Sequence, residues 1–399
     1  MKFKYRAITP SGQKIEGTFS ANSEEDVIAM IKGNNYLPVD VERDIGEEAQ
    51  IQLFKQKVKK KDLAVFCRQF FTMLDSGLGI VKCLDILEMQ TENKTLKPVI
   101  GSVNEDVQKG LSLSEAMKKY PDVFPVILTN MVEAGEVSGN LDAILERMAS
   151  HFEKEFKLEN KVKSAMIYPS ALAVISIAVV IFMITFILPT FTGMFTDSGV
   201  PLPGPTKFLL GLSDFIRAKW YILAVVIGGL AFVIFSFKKS ENGRRFFDGI
   251  KLKIPVVKQT TEKIITSRFT RTLSTLMDSG IPLIKAMEVV AKVVNNLPVQ
   301  ERIMDGIEEI RKGVPLSRSI QNVGVFPPMV DSMIRIGEES GSLDDILLKT
   351  ADFYDEEVET SLTKLTTLIE PIMIVLMAVV IGFIVIAMYL PMFDMMKTV

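Results

Sequence analysis

The sequence is poor in histidine and cysteine, the side chains that zinc sites mainly use. Its 399 residues include one histidine, His151, and two cysteines, Cys67 and Cys83. A structural zinc site takes four ligands, mostly histidine and cysteine, so the chain has too few of them. His151 stands among lysines and glutamates, and we expect it to be solvated. No metal, no cofactor and no catalytic residue is therefore expected.

Two further absences narrow the possible classes of protein. No Gly-x-x-x-x-Gly-Lys-Ser/Thr segment is present, so the chain has no recognisable phosphate loop for hydrolysing ATP. The formal net charge is −2, and no block of lysine and arginine resembles a nucleic-acid-binding stripe. Nucleic acid is therefore not expected as a partner.

Three apolar segments contain no charged residue at all, at 171–188, 220–237 and 371–393. Each is long enough for a helix to cross about 30 Å of hydrocarbon. With their flanks they predict transmembrane helices over 168–190, 219–237 and 370–391. Transporters usually keep ionisable residues inside the membrane for function, so their absence argues against a solute permease.

Positive charge is distributed unevenly around these segments. It is concentrated before the first segment and after the second, at Lys154, Lys157, Lys161, Lys163, Lys238, Lys239, Arg244, Arg245, Lys251 and Lys253. The positive-inside rule therefore predicts a cytoplasmic N-terminus and a cytoplasmic region between the second and third helices. The loop 191–218 and the C-terminal tail 392–399 are then extracytoplasmic.

The region 62–190 recurs at 265–392, which indicates a duplicated unit. Each copy begins with a polar helical region and ends in an uncharged segment. The matching pieces are Phe66-Cys67-Arg68 with Phe269-Thr270-Arg271, Gly135-Glu136-Val137-Ser138-Gly139 with Gly337-Glu338-Glu339-Ser340-Gly341, and Tyr168-Pro169 with Glu370-Pro371.

Helical periodicity and the placement of glycine and proline predict about six helices in each copy. The fold class is a mostly α membrane protein with two homologous cytoplasmic six-helix bundles and three transmembrane helices. Alternating residues, a turn and a capped helix predict a small N-terminal ββαβ module. The predicted soluble parts are this module at 1–42, a linker at 43–61, bundle 1 at 62–167, a cytoplasmic connector at 238–264 and bundle 2 at 265–369.

The repeated motifs allow a structural and a functional interpretation. In the structural one, Gly135 and Gly337 each end a helix, and the Ser-Gly pair turns the chain and caps the next helix. In the functional one, the motifs form a contact face for a cytoplasmic partner. The candidate structural or partner-contact residues are Gly135, Glu136, Gly139, Gly337, Glu338, Gly341, Arg68, Arg271, Pro169 and Pro371.

The last helix of each bundle is predicted to run without a break to the proline that opens the membrane segment. Such a helix would couple bundle and membrane stiffly, with a kink at Pro169 or Pro371. We therefore expect each copy to contain a rigid lever.

Several of these segments resemble the type II secretion system F / type IV pilus PilC family of inner-membrane platform proteins. The resemblance spans nearly the whole chain. It is carried by Lys161-Val162-Lys163-Ser164-Ala165-Met166-Ile167-Tyr168-Pro169, by the repeated Gly-Glu-x-Ser-Gly-x-Leu, and by Phe269-x-Arg271-x-Leu273-Ser274 with Ser279-Gly280-Ile281-Pro282-Leu283.

The resemblance implies a non-enzymatic core of a pilus or secretion machine in the inner membrane. It implies a hexameric cytoplasmic motor ATPase, a pilin or pseudopilin and other inner-membrane assembly proteins as partners. It also implies a homo-oligomer, and it supplies no catalytic residues. The motifs fit pilus extension, retraction, secretion and DNA uptake equally. A solute transporter and a membrane protease are the alternatives from other classes.

Overall fold

The computed structural model describes residues 2–8, 14–20, 24–33, 36–43, 56–191 and 202–398. Part of the predicted linker (44–55) and part of the predicted loop (192–201) lie outside the described residues. The chain divides into two compact units, Met1–Lys57 with Asn93–Thr95, and Val58–Glu92 with Leu96–Val399. The mostly helical fold that the sequence predicts is confirmed.

The described N-terminal elements are strands β1 and β2, helix α1 and strand β3. Their bounds are Lys2–Ile8, Lys14–Ser20, Glu24–Gly33 and Leu37–Arg43. The strands form an antiparallel sheet in the order β2-β1-β3. Ala7 of β1 is buried together with Val27 and Ile31 of α1, because the two helix residues lie one turn apart on the same face.

The first copy forms six helices. They are α2 Lys60–Asp75, α3 Ile80–Gln90, α4 Leu96–Gln108, α5 Leu113–Lys118, α6 Val126–Ser138 and α7 Leu141–Ala165. α2 packs along α7, so the first and last helices of the bundle are neighbours. Gly77 follows α2 with a φ of 86°, a left-handed conformation that glycine adopts without a steric cost.

After the first copy the chain continues through α8 Ile167–Phe182, a π-helical turn Met183–Ile187, α9 Gly204–Lys239 and α10 Glu241–Lys251. The second copy then repeats the six helices. They are α11 Pro255–Asp278, α12 Leu283–Val293, α13 Leu297–Arg311, α14 Leu316–Val323, α15 Pro328–Ser340 and α16 Leu343–Thr398.

Equivalent aromatic pairs anchor the two bundles. The rings of Phe66 and Phe124 lie 5.7 Å apart, and those of the equivalent Phe269 and Phe326 lie 4.6 Å apart. A single connected cluster of buried apolar side chains runs through both bundles. The bundles are therefore packed against each other around a common core, which favours a stiff body over two independent domains.

Three helical stretches are long and apolar enough to cross a membrane: Leu141–Phe191, Gly204–Lys239 and Leu343–Phe393. The first and third pack together where Ile184 and Leu188 meet Ile384. None of the residues in the most apolar 18-residue part of the second stretch is buried by the rest of the described chain.

The second stretch begins earlier than the sequence predicts. α9 starts at Gly204, inside the predicted loop, and residue Lys219 has non-helical angles (φ −127°, ψ 29°) that separate residues 204–218 from the apolar part. The early helical piece packs on the other membrane helices, since the buried Thr206 hydroxyl donates to the Ala387 carbonyl at 2.5 Å. Leu209 of the same piece is buried in the cluster that contains Leu188 and Ile384, so packing within the chain supports this early helical piece.

Candidate functional site: the repeated motifs and the interface between the bundles

Gly135 and Gly337 lie inside helices, so the prediction that they end α6 and α15 is wrong. The helices continue to Ser138 and Ser340. A Cβ on Gly135 would come within 3.0 Å of Ile144 Cγ1, and one on Gly337 within 2.9 Å of Leu343 Cα. These glycines are needed because the next helix starts directly against them, closer than alanine allows.

Gly139 and Gly341 do terminate these helices. Their φ angles are 76° and 70°, the left-handed conformation of a helix C-cap. The amide of Asn140 donates to the Gly135 carbonyl at 3.1 Å, which completes the turn. The second glycine of each motif therefore has the turn-forming role that the sequence predicts.

The glutamate of each motif caps a short neighbouring helix. The Glu136 carboxylate accepts hydrogen bonds from the amides of Leu113 (2.6 Å) and Ser114 (3.1 Å) at the start of α5. Its equivalent, Glu338, accepts from the amides of Leu316 (2.6 Å) and Ser317 (3.1 Å) at the start of α14. A negative charge is favourable at a helix N-terminus, where amides lack partners.

Arg68 and Arg271 occupy equivalent positions and make equivalent ion pairs with the last helix of their own bundle. Arg68 contacts Glu153 of α7 at 3.1 Å, and Arg271 contacts the corresponding Asp355 of α16 at 2.5 Å. Arg271 also contacts Asp352 at 2.8 Å. Arg271 is buried, whereas Arg68 is partly exposed. Both arginines therefore fasten the first helix of a bundle to its last.

The prolines Pro169 and Pro371 have different surroundings in the two copies. In the first copy, Met166 (φ −87°, ψ −9°) separates α7 from α8, so Pro169 lies in the first turn of α8. Amides in a first turn have no partner within the helix, so the amide hydrogen that proline lacks is not needed there. In the second copy, Pro371 lies inside the 56-residue helix α16. The unbroken helix predicted before each proline is confirmed: α7 covers Leu141–Ala165 and α16 continues through Pro371. The two copies differ in the kink, which in the first copy takes the form of the turn at Met166, three residues before Pro169.

Helix α7 links the two bundles through three basic side chains. Arg147 donates to the carbonyl oxygen of Asp278 at 2.6 Å, Lys154 pairs with Asp352 at 3.1 Å, and Lys161 pairs with Glu359 at 2.5 Å. The sequence does not predict these contacts, because each joins residues more than a hundred positions apart.

A second charged group lies deeper, between α2, α7 and α11. The Lys60 ammonium contacts the Glu155 carboxylate and lies 3.5 Å from Glu159. Arg268 approaches the same carboxylates at 3.7 and 3.9 Å. Burial, and then the charge of Arg268, lower the pKa of Lys60 to about 8, against the opposing effect of Glu159.

His151 is buried at this interface, so the prediction that it is solvated is wrong. It is 3% exposed, and its Nδ1 atom has no hydrogen-bond partner among the described residues. Burial, and then the charges of Lys60 and Arg271, lower its pKa to about 3. The spacing of Met148, His151, Phe152 and Glu155 places them on one face of α7, and this signal could have revealed the burial.

The structure thus defines a helical membrane protein with two equivalent bundles, each continuing into a membrane-crossing helix. Two family descriptions match the chain. "Type II secretion system (T2SS), protein F" matches residues 66–189 and again 269–391, and "Type II secretion system protein F, N-terminal domain" matches residues 1–42. The chain belongs to the type II secretion system protein F family.

Individual relatives match over nearly the whole chain. A type IV pilus assembly protein PilC from Thermus thermophilus is 37% identical over 400 residues, covering 99% of this chain and 98% of the relative. A PilC from Myxococcus xanthus is 37% identical over 398 residues (99% and 95% covered). A type II secretion system protein F from Vibrio cholerae is 31% identical over 397 residues (98% of each covered).

Proposed function

We propose that the chain is a non-enzymatic inner-membrane platform of a type IV pilus or type II secretion machine. In this role it couples a hexameric cytoplasmic motor ATPase to the insertion or removal of pilin or pseudopilin subunits. Both bundles and the N-terminus face the cytoplasm, and the C-terminus faces the outside. The names of the relatives support the type of machine.

One observation carries the mechanical part of the proposal. The two bundles share one connected core, and α16 runs without a break from bundle 2 to residue Thr398 across the third membrane segment. A displacement of the bundles is therefore transmitted along a continuous backbone. In the first copy the chain is interrupted at Met166, so the second copy provides the stiffer connection.

A flexible insertion tests this transmission. Gly-Ser-Gly-Ser is inserted after Leu368 in α16, and the same insertion after Gly313 serves as the control, because Gly313 is exposed in the turn between α13 and α14. Both variants replace the natural chain in cells, with membrane levels measured by immunoblotting. We expect the insertion after Leu368 to abolish surface fibres or secretion and the control to retain them. Normal assembly with both insertions, at equal levels, would overturn the mechanical coupling.

The repeated motifs support a division of contacts between the bundles. The central position holds Val137 in the first motif, 87% exposed, and Glu339 in the second, also exposed. The first motif therefore presents an uncharged side chain at the position where the second presents a negative charge. We propose that this face of bundle 1 contacts the motor ATPase, and that bundle 2 contacts neighbouring platform subunits or other assembly proteins.

Co-purification of the full chain with the motor ATPase of the same system tests this assignment. Val137→Glu gives the first motif the sequence of the second, and Glu339→Val makes the reverse change. We expect Val137→Glu to reduce the co-purified ATPase at least fivefold, corresponding to about 1 kcal/mol, and Glu339→Val to leave it unchanged. Equal recovery with both variants would exclude the first motif as the contact.

A further inference from the structure

A cavity of about 540 Å³ lies where the chain passes from the bundles to the membrane segments. Its wall includes Val162 and Met166 near the end of α7, and Leu365 and Ile369 of α16. The first apolar residues that follow, Ile167 in one copy and Ile372 in the other, are 67% and 62% exposed. The cavity is therefore at the level where lipid-facing surface begins.

Its charged lining is mainly basic. Lys163, Lys251 and Arg268 line it together with one carboxylate, Glu159. Lys251 pairs with Asp248 at 2.8 Å, whereas Lys163 has no ion pair within the described part of the chain. The Nε atom of Arg268 is buried without a hydrogen-bond partner among the described residues. Arg268 lies 3.7 Å from Glu155 and 3.9 Å from Glu159 without a hydrogen bond from its Nε atom, so Lys163 is the lining cation that has no acidic partner among the described residues. An anion beside Lys163 is therefore favourable.

The cavity depends on residues that are present in only one of the two copies. α11 begins at Pro255, well before Lys263, the position equivalent to Lys60 at the start of α2. The additional residues contribute Val257, Thr260 and Thr261 to the wall. The first bundle has no such extension in its described residues, because α2 begins at Lys60. The cavity thus depends on the N-terminal extension of α11, which packs beside the end of α7 and has no counterpart in the described residues of the first copy.

The neighbouring helix α10 indicates access from the membrane. It follows the second membrane segment directly, and its Phe246 is 57% exposed. Phe237, Phe246 and Phe247 pack together with centroids 5.8–6.4 Å apart, and Lys238 lies 5.9 Å from the Phe247 ring. An amphipathic helix with aromatic and basic residues suits the lipid–water interface. Lys251, which lines the cavity, is the last residue of this helix.

We propose that this cavity binds an anionic phospholipid, with the phosphate near Lys163 and Arg268 and an acyl chain along the apolar wall. The volume falls in the range of ligand-binding pockets, roughly 300–1,000 Å³. Basic pockets beside membrane helices are favourable for anionic head groups. The apolar residues of α7 and α16 distinguish a lipid from free phosphate, which gains nothing from an apolar wall. Binding ties α7, α11 and α16 together at the point where the bundles meet the membrane.

Lipid binding to the purified full chain in a neutral detergent tests the proposal. The probes are phosphatidylglycerol, phosphatidylcholine with the same acyl chains, and sn-glycerol 3-phosphate, and native mass spectrometry counts the bound molecules. We expect one tightly held phosphatidylglycerol, weaker retention of phosphatidylcholine, and no retained glycerol phosphate. Retention of glycerol phosphate as strong as that of the lipid would show a phosphate site and overturn the lipid assignment.

Two variants locate the site. Lys163→Gln removes a cation from the lining, and Lys157→Gln is the matched control, since Lys157 is exposed on the same helix but does not line the cavity. We expect Lys163→Gln to weaken the binding of phosphatidylglycerol about fivefold and Lys157→Gln to leave this binding unchanged. Equal losses would indicate general attraction to a basic surface and overturn the proposal.

Filling the cavity provides a second, independent variant. Thr261 lines the wall and is partly exposed, so Thr261→Trp occupies volume without entering the bundle core. We expect this variant to lose the retained lipid while its melting temperature without added lipid stays within about 2 °C of the natural chain, as for other surface changes. Undiminished retention with the cavity filled would overturn the proposal. Neither readout involves the motor or the fibre, so its failure is distinct from failure of the platform function.

Discussion

Arg147 of bundle 1 contacts both the backbone carbonyl and the side-chain carboxylate of Asp278 in bundle 2. Its guanidinium donates to the Asp278 carbonyl oxygen at 2.6 Å and lies 3.0 Å from the Asp278 carboxylate. Asp278 is the last residue of α11, where helix carbonyls lack amide partners. A cation at this point is therefore favourable for two reasons, the ion pair and the helix end.

Removing the Arg147 side chain is expected to loosen the contact between the bundles. Arg147→Ala should lower the free energy of unfolding by about 1 kcal/mol, since the pair is partly exposed but includes a charged hydrogen bond to a carbonyl. Thermal melting of the detergent-solubilised full chain measures the change. Arg335→Ala is the control, because Arg335 is exposed and has no ion pair among the described residues. Equal melting temperatures for the two variants would contradict the bridging role.

The motif glutamates are expected to stabilise their bundles as helix caps. Glu338→Ala removes the acceptor for two amides and the Ser317 hydroxyl, and should destabilise the bundle by about 1–2 kcal/mol. Glu339→Ala, one position along, should change stability by less than about 0.5 kcal/mol. Chemical denaturation in detergent compares them. If Glu339→Ala lowered the free energy of unfolding as much as Glu338→Ala, the role of Glu338 as a helix cap would be wrong.

The first glycine of each motif is expected to tolerate no side chain. Gly337→Ala would place a Cβ 2.9 Å from the Leu343 backbone, which should cost about 1–3 kcal/mol. Gly249→Ala is the matched control in α10, where the described residues place no atom within 4 Å of the added Cβ apart from the adjoining turns of the same helix. Alanine is the better helix former, so this control should be neutral or slightly stabilising. A stabilising Gly337→Ala would show that α15 and α16 can separate at little cost.

The buried His151 is expected to make stability depend on pH. Its folded pKa is about 3, below the unfolded value of 6.5, so the unfolded chain binds the extra proton as the pH falls. The contribution of neutral His151 to the free energy of unfolding is present above pH 6.5 and is lost as the pH falls towards 3. The loss between pH 7 and pH 5 is about 2 kcal/mol.

Replacing His151 with leucine isolates this effect. His151→Leu should remove most of the decline between pH 7 and pH 5, a window above the usual titration of exposed carboxylates. At pH 7 the variant should be as stable as the natural chain or more so, because an unpartnered buried Nδ1 is removed. Melting temperatures across the pH series provide the measurement. An unchanged pH profile would show that another group carries the dependence.

The elements of the fold were predictable wherever local pattern decides the structure. Six helices in each bundle follow from apolar periodicity and from turns such as Gly77 and Gly139, whose left-handed backbone favours glycine. The early start of α9 was not predictable, because its stability depends on the contact between Thr206 and Ala387 across the chain.

The candidate site was predictable only in part, for the same reason. Repetition singled out Gly135 and Glu136, but not what each one touches: Gly135 meets the start of α7, and Glu136 reaches the amides of α5. His151 looked solvated because charged residues surround it in sequence, although its helix face carries apolar neighbours. Local periodicity predicts which residues lie on the same face of a helix. The residues that this face contacts are determined by the packing of the two bundles, which the sequence does not show.

The common core of the bundles has a consequence for how many times the chain must cross the membrane. Two domains that share a core must lie on the same side of the bilayer, and each of them leaves through its own membrane helix. A chain that exits twice in the same direction has to return once in between. The segment containing Trp220 supplies that return and belongs to neither copy. The sequence of this segment therefore need not resemble either copy, and three crossings follow from the shared core together with one membrane helix in each copy.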